Sequence, residues 1–489
     1  MENVRRTSVD LFAGCGGLSL GAEWSGFDPV LAVERSDMAA ETYFANFSRR
    51  GRPFDQEEWD DWLTATAEGH FEDAIEPDGP RVIVGDIWDV VRDEGLLKLL
   101  RDREVDLVAG GPPCQGFSMA GKRRHDDNRN SLPVAFLDFV AATAPKAVIV
   151  ENVVGINRSF RASGGADEPP FVQLWHHLED TGEGYLVQPV EVNAAHFGVP
   201  QRRPRMMLLA LRLDVAVASK ARVVADIWRS KDAWTSRDEP GSLLVPRLGR
   251  PGPISDWCQY TAKQALWDLD EGGYKWDADD ARYEEAPFAA FMRRHPSSTG
   301  ETGNPPPNHV TRKHTDAVRE RFLLYHCLAS MKLEPAKVTK AMRIGKDVAD
   351  KSAAEREIAL ILDGRIDIPQ RFRQDRLGKP GEDLASVIRR LATKKHSQRV
   401  VEADQPAPTV VTLPDDYVHP REPRTMTVRE LARLQSFPDW FEFRNKETTG
   451  SHRRRVEVPQ YSQVGNAVPP LMAQAVAGRL REFLDRAGA

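Results

Sequence analysis

Along the first 210 residues, short runs of β-branched and apolar residues alternate with stretches whose apolar positions recur every three or four residues. Ser8–Phe12, Val30–Val33, Arg81–Val84, Val105–Ala109, Ala147–Val150 and Met206–Leu211 read as strands, and Asp37–Phe47, Leu132–Thr143 and Phe171–Thr181 as amphipathic helices between them. This alternation predicts an α/β fold: a doubly wound, mostly parallel, Rossmann-like sheet with ligand sites at the carboxyl ends of its strands. Residues 49–79, rich in Asp, Glu and Trp, read as an insertion between the second and third strands.

From about residue 215 to 400 the alternation fades. Clusters at Pro246–Pro253, Gly300–Pro307 and Gly378–Gly381 separate irregular segments, which predicts a second, irregular domain with long loops and a helix near Asp347–Leu362. The pattern then tightens. Thr427-Val428-Arg429-Glu430 is a capping box opening a helix through about Gln435, closed by Pro438. Pro469–Pro470 precede a last helix with Leu471, Met472, Ala475, Val476, Leu480 and Phe483 on one side. The expected division is therefore 1–214, 215–400, and 401–489 returning to the first unit.

Composition narrows the class. A chain of 489 residues, 41 % hydrophobic and 29 % charged, has the make-up of a soluble globular protein with two to four domains. The apolar stretch 134–150 is broken by Asp138, Pro145 and Lys146, and no apolar run follows the first basic residues, so neither a membrane span nor a secretory signal is expected and the chain reads as cytoplasmic. Four widely spaced cysteines (Cys15, Cys114, Cys258, Cys327) suit neither a disulfide scaffold nor structural zinc, and no metal is expected. Net charge is −6, yet residues 286–400 hold 23 Lys and Arg against 13 Asp and Glu, a local +10. That segment is either a phosphate-binding face or a solvated helical surface.

The candidate chemistry sits at strand ends. Asp10-Leu11-Phe12-Ala13-Gly14-Cys15-Gly16-Gly17 puts glycines on a strand-to-helix turn, where bare backbone and free N–H groups could receive a nucleoside cofactor; packing alone, or a nicotinamide cofactor, would use the same turn. Glu34 closes the next strand, where a carboxylate can bind ribose hydroxyls, and Asp86 follows the third, as an adenine contact or a plain turn residue. Gly110-Gly111-Pro112-Pro113-Cys114-Gln115-Gly116-Phe117-Ser118 holds a thiol on a stiff loop after the fourth strand, badly placed for core packing and well placed as a nucleophile. Glu151-Asn152-Val153 ends the neighbouring strand, bringing Glu151 near Cys114 either to cap a loop or to do acid chemistry. Gln201-Arg202-Arg203-Pro204-Arg205 places Arg203 and Arg205 on one face, as a basic sheet edge or to orient a ring carbonyl or phosphate.

With these residues in order, the chain resembles the C5-cytosine DNA methyltransferase family of bacterial restriction–modification systems. DLFAGCGGLSLG, Glu34, GDI around Asp86, GGPPCQGFS, ENV, QRRPR, RELARLQSFPD (429–439) and QVGNAVPP (463–470) carry the resemblance over roughly 7–211 and 404–485. It implies an S-adenosylmethionine pocket lined by Phe12, Gly14, Gly17, Glu34, Asp86, Ile87, Pro113, Leu132 and Asn466. Cys114 would be the nucleophile, Glu151 the acid–base partner, and Arg203 and Arg205 the groups that position the ring. It further implies double-stranded DNA as substrate, a variable target-recognition domain at 215–400, monomeric action on DNA and a separately acting cognate restriction endonuclease. Gln115, Ser118, Lys122, Arg123 and Arg124, on a loop closing over the flipped base, and Arg202 would meet DNA. His309, Arg312, Lys313 and His314 are further candidates, with ordinary surface residues the alternative. Two features depart from the family: Arg35 stands where an apolar or aromatic residue often covers the adenine, and the 49–79 insertion has no assigned role. The rival readings are a related enzyme acting on tRNA, which would have a shorter recognition region, a catalytically silent DNA-binding regulator, and a nicotinamide oxidoreductase.

Overall fold

A computed structural model describes residues 6–48, 52–76, 79, 81–113, 132–157, 168–224, 226–231, 242–243, 260–269, 287–294, 305–333, 335–393, 398–450, 453 and 456–488. Its centre is a sheet of β1 (Arg6–Leu11), β2 (Phe27–Glu34), β3 (Val82–Val84), β4 (Leu107–Gly110), β5 (Ala147–Val153), β6 (Tyr185–Asn193), β7 (Pro204–Arg212) and β8 (Trp228–Arg229), in the order β3-β2-β1-β4-β5-β7-β6-β8. β7 runs antiparallel to both neighbours and every other pairing is parallel. The doubly wound, mostly parallel expectation holds. Val9, Leu11, Leu31, Val33, Val108 and Val150 are all but inaccessible, as strands buried on both faces require.

β6 is a strand that the sequence pattern does not announce, because Pro189 interrupts it. In the structure Pro189 sits opposite Leu208 of β7, and on its other side β6 meets only the two-residue β8. A missing N–H costs little so near a sheet edge.

The first half supplies α1 (Gly17–Trp24), α2 (Asp37–Tyr43), α3 (Gln56–Ala67), α4 (Ile87–Arg92), α5 (Glu94–Asp102), α6 (Leu132–Thr143), α7 (Pro170–Glu179) and α8 (Leu213–Ala218). α3 is the 49–79 insertion. Asp55 caps it by accepting from the N–H groups of Glu57 and Glu58, Trp59 and Trp62 turn inward, and the Trp62 indole donates to the Val82 carbonyl at 2.7 Å. The insertion thus covers β3, the outermost strand, whose edge would otherwise be an open template for pairing.

The middle of the chain is more helical than its Pro/Gly punctuation suggests. α9 (Ala262–Leu266) and α10 (Pro287–Arg293) add Ala265, Leu266, Phe288 and Met292 to the sheet's core. α11 (Asp316–Ser330), α12 (Pro335–Asp347), α13 (Lys351–Ile361), α14 (Gln370–Gln374) and α15 (Leu384–Leu391) close a second core around Phe322, Leu328, Met342, Ile358 and Ile388. In α15, Leu384, Val387, Ile388 and Leu391 recur at helical spacing, and Asp383 caps the helix at Ser386 N–H. The anticipated helix at 347–362 is α13; α11 and α12, both longer than α13, and the short α14 and α15 go beyond that expectation. Of the Pro/Gly clusters, Pro246–Pro253 lies outside the described residues.

The chain then returns through β9 (Arg399–Val400) and β10 (Tyr417–Val418), which pair with each other, and through α16 (Val428–Leu434), α17 (Gln460–Asn466) and α18 (Pro470–Ala487). The Thr427/Glu430 capping box forms as expected, and α18 packs along α1. No described helix is long and apolar enough to cross a membrane.

At the junction of the two cores, His419 and Glu430 are fully buried, and the Arg424 guanidinium donates to both Glu430 oxygens at 2.9 and 2.7 Å. Burial pushes the His419 imidazole down to about 3, against the pull of Glu430. A folded-state pKa below the unfolded value of about 6.5 means that the proton prefers the unfolded chain. This contribution to stability is complete above about pH 6.5 and is lost as pH falls below it, at roughly 1.4 kcal/mol per unit. Urea midpoints should therefore drop between pH 7 and 5, and His419→Gln should flatten that drop; an equally steep fall in the variant would rule out His419 as its source.

Candidate active site

The cofactor end is built where β1, β2 and β3 finish together. After β1 the backbone of Phe12 enters the left-handed region (φ 59°), a conformation that costs a non-glycine residue energy and is typical of functional turns. A Cβ at Gly14 (φ +56°) would meet nothing within 4 Å, so a ligand can approach there. Gly17 is bare for another reason: a Cβ there would lie 2.2 Å from the Val468 carbonyl oxygen. The turn is thereby pressed against the segment just after Asn466, which ends α17 and is exposed. Behind the turn, buried Asp10 accepts from Ser19 Oγ at 2.6 Å and Ser19 N at 3.1 Å, pinning α1 to β1. Burial lifts the Asp10 carboxyl to about 7.

Glu34 accepts from Gly14 N at 2.8 Å and Ser36 N at 2.7 Å, so it shapes the turn as well as facing it. Burial raises its carboxyl above the usual range, and those donors oppose the rise. The pairing of Glu34 with Val84 sets Asp86 along the same edge, where it caps α4 by accepting from Trp88 N at 3.0 Å. Ile87 is buried, Leu132 half-buried at the start of α6, and Pro113 exposed. Ser36 Oγ and the Trp88 indole nitrogen are buried there without a hydrogen-bond partner. Two carboxylates, two orphaned polar atoms and an open glycine fit a nucleoside with a ribose and an amino-bearing ring.

The base end is built by β4, β5 and β7. A Cβ on Gly111 would stand 3.0 Å from Glu151 Oε2, so the carboxylate lies over the start of the loop that leads to Cys114. Asn152 Nδ2 donates to the Pro112 carbonyl at 2.9 Å and fixes that approach, a role the ENV motif does not disclose. Across the β5–β7 pairing, Arg205 Nε meets Glu151 Oε1 at 2.6 Å, with both side chains about one-tenth exposed. Cys114, Gln115, Ser118, Lys122, Arg123 and Arg124, with the loop they occupy, lie outside the described residues, as does Cys258. Cys15 and Cys327 are buried and free, and burial pushes their thiols up to about 12 and 11. Neither offers a thiolate.

Arg203 lies near enough to Arg205 and Glu151 for both charges to act on it, but it is 1 % exposed and its terminal nitrogens donate to the carbonyls of Val410 (3.1 Å) and Gly465 (2.8 Å). Proline at 204 and the turn into β7 send the two arginines to different neighbours. His309 is no surface DNA contact. It is 6 % exposed, with its ring nitrogens on Thr427 Oγ1 (3.0 Å) and the Leu269 carbonyl (2.7 Å), because the strap 305–310 is threaded under α16. His314 likewise turns to Thr425. Arg312 is half-buried, 3.6 Å from Asp415, while Lys313 and Arg202 remain exposed. Arg202 reaches Gln405 at 2.7 Å and, with Lys332 and Arg399, borders a cleft of about 1300 Å³ between the two cores.

The profile of the C-5 cytosine-specific DNA methylases matches residues 6–64 and 56–482. Type II methyltransferase M.DdeI of Desulfomicrobium norvegicum is 30 % identical over 98 % of this chain and 89 % of its own. M.AgeI of Thalassovita gelatinovora is 29 % identical over 97 % and 99 %. The DNA (cytosine-5-)-methyltransferase M.ApeKI of Aeropyrum pernix is 27 % identical over 98 % and 99 %. Among solved structures, a prophage-encoded E. coli protein described as a DNA modification methyltransferase shares the fold, with a TM-score of 0.51 and 21 % identity over 98 % of this chain and 99 % of that one. The chain belongs to the C-5 cytosine-specific DNA methylase family.

Proposed function

We propose that this protein transfers a methyl group from S-adenosylmethionine to C5 of a cytosine flipped out of a specific double-stranded DNA sequence, as the modifying partner of a separate restriction endonuclease. The observation that carries the reading is the Glu151–Arg205 pair, held over the loop to Cys114 on the same sheet edge as Glu34 and Asp86.

When bound, S-adenosylmethionine supplies a methyl on a positively charged sulfur. Glu34 would hold its ribose, Asp86 and Ile87 its adenine, and Phe12, Gly14, Gly17, Pro113, Leu132 and Asn466 the remaining walls. Cys114 thiolate adds to C6 of the flipped base, and the electron pair displaced from the C5–C6 bond makes C5 nucleophilic. Glu151 shares a hydrogen bond and its proton with N3, where negative charge develops, and Arg205 contacts O2 and keeps the ring in reach of the sulfur. A bond from C5 to the methyl carbon forms as the donor's carbon–sulfur bond breaks. Loss of the C5 proton to water and breakage of the C6–sulfur bond then regenerate the thiolate.

Flipping costs roughly a few kcal/mol, repaid by phosphate contacts. Residues 215–400 are assigned target recognition, and Arg202, Lys332 and Arg399, which share the cleft between the two cores with Glu402, Asp404 and Asp416, would meet the duplex backbone. Lys122, Arg123 and Arg124 would close over the base with Gln115 and Ser118, and Arg312 and Lys313 lie on the recognition side. The enzyme would act as a monomer, in the cytoplasm on nucleoid DNA. Bisulfite sequencing of a plasmid from expressing cells should reveal one methylated sequence context. Duplexes with 5-fluorocytosine at that position should then become covalently attached at Cys114 in the donor's presence; attachment elsewhere, or none, would refute the assignment.

A further inference from the structure

Three buried side chains join the backbone behind the two ends of the site. Gln201 is fully buried: its Nε2 donates to the Leu434 carbonyl (3.0 Å) and to Gln435 Oε1 (2.8 Å), while its Oε1 accepts from Val410 N (2.8 Å). Gln435, equally buried, passes the connection on by donating to the Val464 carbonyl at 2.7 Å. Arg203 closes the circuit from Val410 to Gly465. Gly465 has no room for a side chain, since a Cβ there would lie 2.7 Å from Val411 and Thr412 backbone atoms. The network begins two residues from Arg205 at one end and stops one residue short of Asn466 at the other.

Resting on the function proposed above, we propose that Gln201, Gln435 and Arg203 are positioning residues that couple the cofactor loop at 464–468 to the Glu151–Arg205 pair. Cofactor binding braces the loop around Asn466. Because Gly465 is in van der Waals contact with 411–412 and both amides are fully engaged, a shift of that loop cannot be absorbed locally. It passes to Val410 and to the start of β7, which carries Arg205. Buried amide pairs suit this purpose: in a low-dielectric seam each bond is strong and directional, and none can be exchanged for water. Apolar residues of the same volume would fill the space without fixing the register.

Hydrogen exchange of the full chain, with and without S-adenosylhomocysteine as probe, tests this. Protection is expected at Gly14–Gly17 and, as the coupling signature, also at 408–412 and 201–207. Protection confined to the cofactor turn would overturn the coupling and leave the function standing. Absence of protection anywhere would sink the cofactor reading and the coupling with it. In Gln435→Met the protection at Gly14–Gly17 should persist and that at 408–412 disappear, with kcat on plasmid DNA down by about tenfold or more and the Kd for S-adenosylhomocysteine within about threefold. A variant with wild-type protection at 408–412 would also overturn the proposal. Should Gln435→Met fail to fold, the wild-type comparison decides alone.

Discussion

Glu151→Gln is expected to slow single-turnover methyl transfer by roughly 10²–10⁴-fold, the usual range for losing a positioned proton donor, whereas Cys114→Ser should bring transfer to background. The amide keeps the shape of the side chain and can still donate one hydrogen bond to N3. What it loses is the ability to follow the charge that builds there, and it no longer attracts Arg205, which it meets at 2.6 Å as a carboxylate. Arg205 is about one-tenth exposed and otherwise donates to the Pro204 carbonyl, so it should reorient. The signature is a fall in kcat with little change in KM for the methyl donor, read by tritium transfer to plasmid DNA. A loss appearing mainly in donor KM would move Glu151 to the cofactor side and out of the proposed chemistry.

How much of this could be read from the chain follows from what each residue depends on. The positions of Glu34, Asp86 and Glu151 were legible because each lies within two residues of the end of a buried strand, where local sequence alone fixes position and a charge needs a reason. Both α16 and α18 announced their starts through a capping box and a Pro-Pro pair, which are short-range signals. What failed depended on distant partners. Arg203 and Arg205 look equivalent in the sequence, and only Val410 and Gly465, more than 200 residues away, separate a seam residue from a site residue. His309 resembles a surface histidine in a basic, Pro-rich stretch until Leu269 and Thr427 close on it. β6 was hidden by Pro189, whose tolerance depends on how short the neighbouring strand is. Within the helical bundle at 316–391, α14 was hidden by length: it spans only five residues, too few to show a period, and is held by the shared core rather than by propensity.

Arg433→Met is expected to cost about 3–5 kcal/mol, the largest stability loss predicted for any single position here. Arg433 is 1 % exposed and stands between two carboxylates that are almost as inaccessible. Its Nε and Nη2 donate to Asp439 at 2.8 and 2.6 Å, and its Nη1 and Nη2 to Asp268 at 2.5 and 3.1 Å. Those partners hold the guanidinium charged although burial opposes it. Methionine would fill most of the space and so avoid a cavity, which makes the loss electrostatic: Asp439 loses its ion pair with Arg433, and Asp268 keeps only Arg293, 3.1 Å away. Asp268 follows α9, so the same change should loosen the contact between 262–268 and α16 that ties the middle of the chain to the sheet's core. The discriminating comparison is the triple variant Arg433→Met, Asp439→Leu, Asp268→Leu. Removing these three groups spares their desolvation at the cost of the Arg293–Asp268 contact on the part-exposed side, so it should recover much of the urea midpoint lost by the single change. If the triple variant were less stable than Arg433→Met by the sum of two further core losses, the cluster would be holding the fold through packing and geometry, and the electrostatic account of α16 would be wrong.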